Sequence, residues 1–247
     1  MRPGLGRRRR RLGDDGGTVT LPTPLPDATE KARVVEAMFD RIAPRYGLIN
    51  HLMTGGLDVV WRRRAVGELR LPQGALVADL ACGTGQFCRA LGRAGYRTIG
   101  VDSAAGMLAR ARGADQFVRA DILDLPFAPA SVDGVTSGFA LRNVVDIGRC
   151  VAEMARVVRP GGRVAVLDLA EPRAATRWIQ STWIEGVVPR LGALLSDGEA
   201  YRYLPASTAY LPDGSTLTAI FRNAGFPDTR RLLLGFGTVQ LLVGSRR

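Results

Sequence analysis

Three acidic residues close short apolar runs: Asp79 in "LVADLAC", Asp102 in "TIGVDSA" and Asp121 in "FVRADIL". The first run leads into a glycine loop, "ACGTG". Gly83 and Gly85 let the backbone turn sharply and a ligand approach closely. A carboxylate that ends the strand after such a loop is spaced to accept from ribose hydroxyls, which gives that role to Asp102. Asp121 is placed to accept from an adenine amino group. A dinucleotide fingerprint has a third glycine where helix packs on strand. Arg89 or a neighbour occupies that region here, which disfavours a pyrophosphate cofactor. Three acidic strand ends suit a ligand with a ribose, an adenine and a positive charge. S-adenosylmethionine has all three, because its amino group and its sulfonium are cationic.

A second stretch, "SGFALRNVVD", places Arg142 and Asn143 between core-like residues. Phe139, Leu141 and Val144 flank the pair. A strand running into a helix needs neither a permanent cation nor an amide, so the pair points to something beside the turn that does.

Elements must carry these residues. Ala28–Ile42 has apolar residues at helical spacing and stops before Pro44. Short helices are expected around Leu48–Met53 and Asp58–Leu69. Then the pattern changes to "ALVADLAC", "RTIGVD", "QFVRAD", "VDGVTSGF" and "RVAVLDLA", five short apolar runs of the kind that form buried parallel strands. Helices are predicted between them: one from the glycine loop through Leu91, one over Ala104–Arg112 and one over Asp146–Val158, with "RPGG" as a tight turn. The alternation implies right-handed crossovers and a doubly wound parallel sheet. "DTRRLLLGFGTVQLLVGS" reads as two further strands joined around Gly235 and Gly237. Glu171–Leu211 breaks the rhythm, carries Trp178, Trp183, Tyr201, Tyr203 and Tyr210, and reads as a helical lid over the active edge. Residues 1–27 read as a basic, disordered tail and 28–247 as one domain.

The chain has 247 residues and a net charge of +11. Six arginines in the first 11 residues account for much of that charge and leave +5 on the rest. This weakens a nucleic-acid reading. No apolar run approaches the roughly 20 residues of a membrane span. The N-terminal segment lacks the apolar stretch of a signal peptide. Cys82, Cys88 and Cys150 form no C-x-x-C pair, and His51 is the only histidine, so a histidine-rich or Cys/His metal site is excluded. A cytoplasmic location fits.

"DLACGTG", "GVDSAAGML", "ADILDLPF" and "RVVRPGGRVAVLDL" resemble the motifs of class I methyltransferases. "VVEAMFDRIAPRYGLIN", "WRR", "FALRNV", "VVPRLGALLS" and "AYRYLPAST" narrow the resemblance to the menaquinone/ubiquinone biosynthesis C-methyltransferases. That resemblance implies a Rossmann-like α/β fold with a seven-stranded sheet. It implies methylation of a carbon on a prenylated quinol ring, demethylmenaquinol to menaquinol foremost. It carries over Thr84, Asp102 and the Asp121–Ile122 pair as cofactor contacts, beside Asp79, Gly83, Gly85 and Gly138. This chain has Ala140 where the family has glycine, and Leu234-Gly235-Phe236-Gly237 at the family's terminal "TGG".

Methyl transfer from a sulfonium is an in-line displacement, here by a ring carbon beside a phenolic oxygen. The site must stabilise a developing oxyanion, hold the carbon and exclude water. On this reading Arg142 supplies a fixed cation, Asn143 orients the substrate oxygen or the cofactor, and Tyr46 completes a polar group near the ring. No metal is required. The expected partners are a lipophilic quinol, an inner membrane face touched transiently and a second copy of the chain, with no nucleic acid. The competing readings are a paralogue acting on another aromatic or polyketide acceptor, a nucleic-acid methyltransferase, and a non-methylating member of the fold.

Overall fold

The computed structural model describes residues 28–171 and 210–247. Three helices come first: α1 (Ala28–Ile42), α2 (Tyr46–Met53) and α3 (Leu57–Leu69). A sheet then alternates with helices: β1 (Leu76–Leu80), α4 (Gln86–Arg93), β2 (Arg97–Asp102), α5 (Ala105–Leu108), β3 (Gln116–Arg119), β4 (Val132–Gly138), α6 (Ile147–Val157) and β5 (Val158–Leu169). After the second described segment begins come α7 (Gly214–Ala224), β6 (Arg230–Leu234) and β7 (Val239–Ser245). The expected tail (1–27) and nearly all of the expected lid (171–211), with Trp178, Trp183, Tyr201 and Tyr203, lie outside the described residues.

The sheet has seven strands in the order β3-β2-β1-β4-β5-β7-β6. This is the α/β, Rossmann-like architecture that the alternating pattern implies, with one correction. The sheet is mixed, because β7 runs antiparallel to both β5 and β6. The connection from β6 to β7 is a single 3-10 turn, Gly235–Gly237. So short a link permits only an antiparallel pair, since a parallel one needs a crossover of a dozen or more residues. Strands β1 and β4 are buried along nearly their whole length because helices cover both faces. One core layer joins Val135, Val166 and Leu242 to Met154 of α6 and Phe221 of α7. The other joins Val77, Leu167 and Leu241 to Trp61 and Leu69 of α3 and Phe87 and Leu91 of α4. Met38, Ile42 and Ile49 pack with Met107 in a smaller cluster that fastens α1 and α2 beside α5.

Two local elements differ from the pattern. The helix expected over Ala104–Arg112 stops as α5 at Leu108. The Arg110 and Ala111 amides tighten to partners three residues back, and the Arg112 N–H leaves the helix to donate to the Thr84 carbonyl in the glycine loop. "RPGG" does turn, but inside β5: Val158 pairs with Val132 and Arg163 already with Gly134. Four residues of β5 face one of β4, a bulge that Gly161 permits with φ +79°.

Candidate active site

In an open α/β sheet, ligands bind beyond the carboxyl ends of the strands where strand order reverses. Here the order reverses between β1 and β4. A cavity of about 250 Å³ opens there. Gly83 after β1, Asp102 ending β2, Asp121 and Ile122 after β3, and Gly138, Phe139 and Asn143 after β4 line it. α1 and α2 close one side with Phe39 and Tyr46, whose rings meet edge to face at 5.8 Å.

Asp102 is buried, and its two oxygens accept from backbone on either side. Oδ2 takes the Gly83 N–H at 2.7 Å, and Oδ1 takes the Ala104 N–H at 2.9 Å. The carboxylate therefore pins the glycine loop to the end of β2 and keeps a free lone pair on each oxygen. Burial raises its pKa, and these backbone donors oppose the rise. Asp121 is exposed and accepts the Leu123 N–H through Oδ1, which leaves Oδ2 for a ligand.

Gly83 and Gly85 serve different ends. Gly83 adopts φ +54° and lines the cavity, where the Tyr46 ring lies 3.6 Å from the position of a Cβ. Gly85 does not line it. At φ +80°, a Cβ there would run into the backbone of Arg112. Its glycine allows the loop to seat against the turn after α5. Thr84 is also off the lining. Its carbonyl accepts from Arg112 N–H and from Arg89 Nη1, so it buttresses the loop.

Asp79 sits beneath this floor and is wholly buried. Its carboxyl accepts from Thr136 Oγ1 at 2.9 Å and from Cys88 Sγ at 3.3 Å. Burial raises its pKa to about 7, against those two hydrogen bonds.

The turn after β4 carries the polar pair on a 3-10 helix, Leu141–Asn143. Phe139 precedes it at φ +62°, a conformation unusual for a side-chain-bearing residue and held only where its surroundings fix it. Its N–H donates to Leu167, and its ring has the guanidinium carbons of Arg62 and Arg142 at 5.6 Å and 5.9 Å. The structure sends Arg142 and Asn143 in different directions. Arg142 does not line the cavity. Its Nη1 donates to Asp168 Oδ1 at 2.9 Å, both side chains are buried, and the Arg142 backbone N–H reaches Asp168 Oδ2. Its charge is thus met by the carboxylate at the end of β5. Asn143 does line the cavity, and its Oδ1 is buried without a hydrogen-bond partner among the described residues. A buried amide oxygen in that state calls for a donor from a ligand.

The site thus gathers Tyr46, Gly83, Asp102, Asp121, Ile122, Gly138 and Asn143 on one cavity and places Asp79, Thr84, Gly85 and Arg142 behind it. Asp168 was missed in the sequence. Its signal was a carboxylate ending an apolar strand, the same signal that marked Asp79 and Asp102. His51, which had no obvious partner in the sequence, lies 3.3 Å from Asp58 Oδ1.

A bulky cationic nucleoside fits these donors and acceptors. Asp102 and Asp121 offer free acceptors at the ends of β2 and β3, Ile122 offers an apolar face, and Asn143 offers an unfilled carbonyl. The cofactor that matches is S-adenosylmethionine. Solved structures support the same fold. A methyltransferase of Thermotoga maritima described as dependent on that cofactor aligns with a TM-score of 0.61 at 19% identity, over 85% of this chain and 99% of that one. Curated relatives are closer in sequence. A demethylmenaquinone methyltransferase of Thermus thermophilus is 40% identical over 85% of this chain and all of its own length. A 2-phytyl-1,4-naphtoquinone methyltransferase of Thermosynechococcus vestitus is 37% identical over 86% of this chain and 99% of its own. The ubiE/COQ5 methyltransferase family profile matches residues 27–246. The chain is an S-adenosylmethionine-dependent methyltransferase and belongs to the ubiE/COQ5 methyltransferase family.

Proposed function

We propose that the enzyme methylates a ring carbon of a prenylated quinol, converting demethylmenaquinol to menaquinol. The observation that carries this is the unpartnered Asn143 Oδ1 in the cavity that Asp102 also lines. The names of the relatives support the choice of acceptor. S-adenosylmethionine supplies an electrophilic methyl group when bound.

The chain's own residues do the rest. Asp102 accepts from ribose hydroxyls, and Asp121 with Ile122 and Gly138 bounds the adenine end. Gly83 brings the backbone close. Asn143 Oδ1 accepts from the quinol hydroxyl, which raises electron density on the adjacent ring carbon. Phe39, Phe139 and Val144 hold the ring and exclude water, which strengthens each polar contact. Tyr46 fixes the ring's edge against the glycine loop. Arg142 acts as a positioning residue: paired with Asp168, it clamps the 3-10 turn so that the Asn143 amide faces the cavity. The ring proton leaves to bound water. On this reading the enzyme works in the cytoplasm, and its greasy acceptor draws it into transient contact with the inner face of the cell membrane.

The test is a selectivity panel. Reduced short-chain demethylmenaquinone is set against catechols, simple phenols and polyketide phenols under the same labelled cofactor. The quinol should have the highest kcat/KM. A phenol or polyketide preferred over it would overturn the assignment.

A further inference from the structure

A second cavity, of about 260 Å³, shares no lining residue with the first and lies between α2, α3 and α4. Arg62, Arg63, Arg89 and Arg93 line it, and among the described residues its one carboxylate is Asp58. That carboxylate is already taken by Arg62 at 2.5 Å and by His51. Among the described residues Arg89 donates to the Thr84 carbonyl alone. Arg63 and Arg93 are exposed and make no hydrogen bond or ion pair among the described residues. The cations outnumber their counter-charge. Burial, and then the charges of Arg62 and Arg93, push the Arg89 pKa down.

Two of the helices that line this cavity also expose apolar side chains, Leu48 and Leu52 on α2 and Leu57 and Val60 on α3. Leu48, Leu52, Leu57 and Val60 are 59%, 45%, 44% and 56% exposed. Their spacings of four and three place each pair on one helix face. Planar guanidinium forks are suited to phosphate oxygens. Helical surfaces that combine arginines with leucines settle at an anionic membrane interface.

We infer that α2, α3 and α4 form a docking site for an anionic phospholipid, with its phosphodiester in the arginine cavity and its acyl region against Leu48, Leu52, Leu57 and Val60. A free phosphate would use the arginines but leave the four apolar side chains in water. This site deepens the membrane contact proposed above and rests on that reading of a lipophilic acceptor.

The full-length protein is floated with vesicles of phosphatidylcholine alone or mixed with phosphatidylglycerol, and titrated separately with glycerol phosphate. Arg63→Glu/Arg93→Glu and Leu52→Ser/Val60→Ser are run beside it. Arg63→Gln/Arg93→Gln serves if the glutamates lower Tm. The wild type should float only with phosphatidylglycerol. The arginine pair should weaken this by about thirtyfold or more, the scale of two interfacial cations, and the serine pair should weaken it too. Unchanged flotation in the arginine pair overturns the site. Loss with the arginine pair alone, or glycerol phosphate binding as tight as the vesicles, overturns the lipid in favour of a bare anion site. Methylation of a detergent-dispersed short-chain quinol is measured on the same proteins and should match wild type in every variant. If the wild type itself fails there, the acceptor reading fails and the flotation result stands by itself.

Discussion

Arg142 Nη1 lies 2.9 Å from Asp168 Oδ1, and the two side chains are buried together under the turn that presents Asn143. Breaking a buried pair leaves an uncompensated charge and costs about 3–5 kcal/mol. Arg142→Met should therefore lower unfolding free energy by about that amount, and Arg142→Met/Asp168→Asn by clearly less than the sum of the single changes. The coupling is read by denaturant unfolding of the four proteins. A positioning role also predicts reduced turnover per folded molecule with unchanged cofactor affinity. Additive unfolding energies would show that the pair does not act as a unit.

Asp102→Asn keeps the size of the side chain but removes its charge and one acceptor. Hydrogen bonds to charged groups contribute about 1.5–3 kcal/mol. Cofactor affinity by calorimetry should fall by about ten- to a hundredfold, with a well-formed thermal transition. Unchanged affinity would place the ribose elsewhere.

The two glycines of the loop should respond differently to alanine. At Gly85 a Cβ meets the Arg112 backbone at φ +80°, so Gly85→Ala carries both a clash and left-handed strain. At Gly83 the nearest neighbour, Tyr46, is 3.6 Å away, which is ordinary contact. Gly85→Ala should lower unfolding free energy by about 2 kcal/mol or more, and Gly83→Ala by about 1 kcal/mol, the range of a single strained residue. Equal melting temperatures would remove the packing role assigned to Gly85.

Asp79 is a carboxyl whose folded pKa is raised from 3.8 to about 7 by burial. Its contribution to stability is fully present below its unfolded pKa and is lost as pH rises through about 7. Asp79→Asn does not titrate. Unfolding at pH 4, 6 and 8 should show the wild type losing stability relative to Asp79→Asn across that window. A difference independent of pH would mean that the carboxyl ionises at its ordinary value in the folded protein.

The strands were legible because a strand covered on both faces is built mostly of apolar and small residues, as β1 (LVADL) and β4 (VDGVTSG) are. The acidic ends of β2 and β3 were legible because charge at the end of such a run has no packing reason. The antiparallel pairing of β7 with β6 follows from their short link, but its place antiparallel beside β5 was not legible, since an apolar run carries no sign of its other partner. The end of α5 was set by the Arg112–Thr84 contact, made by residues far apart in the chain. Arg142 shows the same limit at the site. A cation among core residues announces that something meets its charge, but only the fold reveals that Asp168 is what meets it.

On the proposed reading this cavity transfers a methyl group to a ring carbon of a quinol. The direct measurement is a single turnover with S-adenosylmethionine carrying a carbon-13 methyl and reduced short-chain demethylmenaquinone, with carbon NMR of the product. The label should appear on the ring carbon in the wild type, and turnover should be about a hundredfold or more slower in Asn143→Ala, the scale of one preorganised hydrogen-bonding group. Label on a quinol oxygen, no transfer while the cofactor still binds, or full-rate transfer in Asn143→Ala would contradict it.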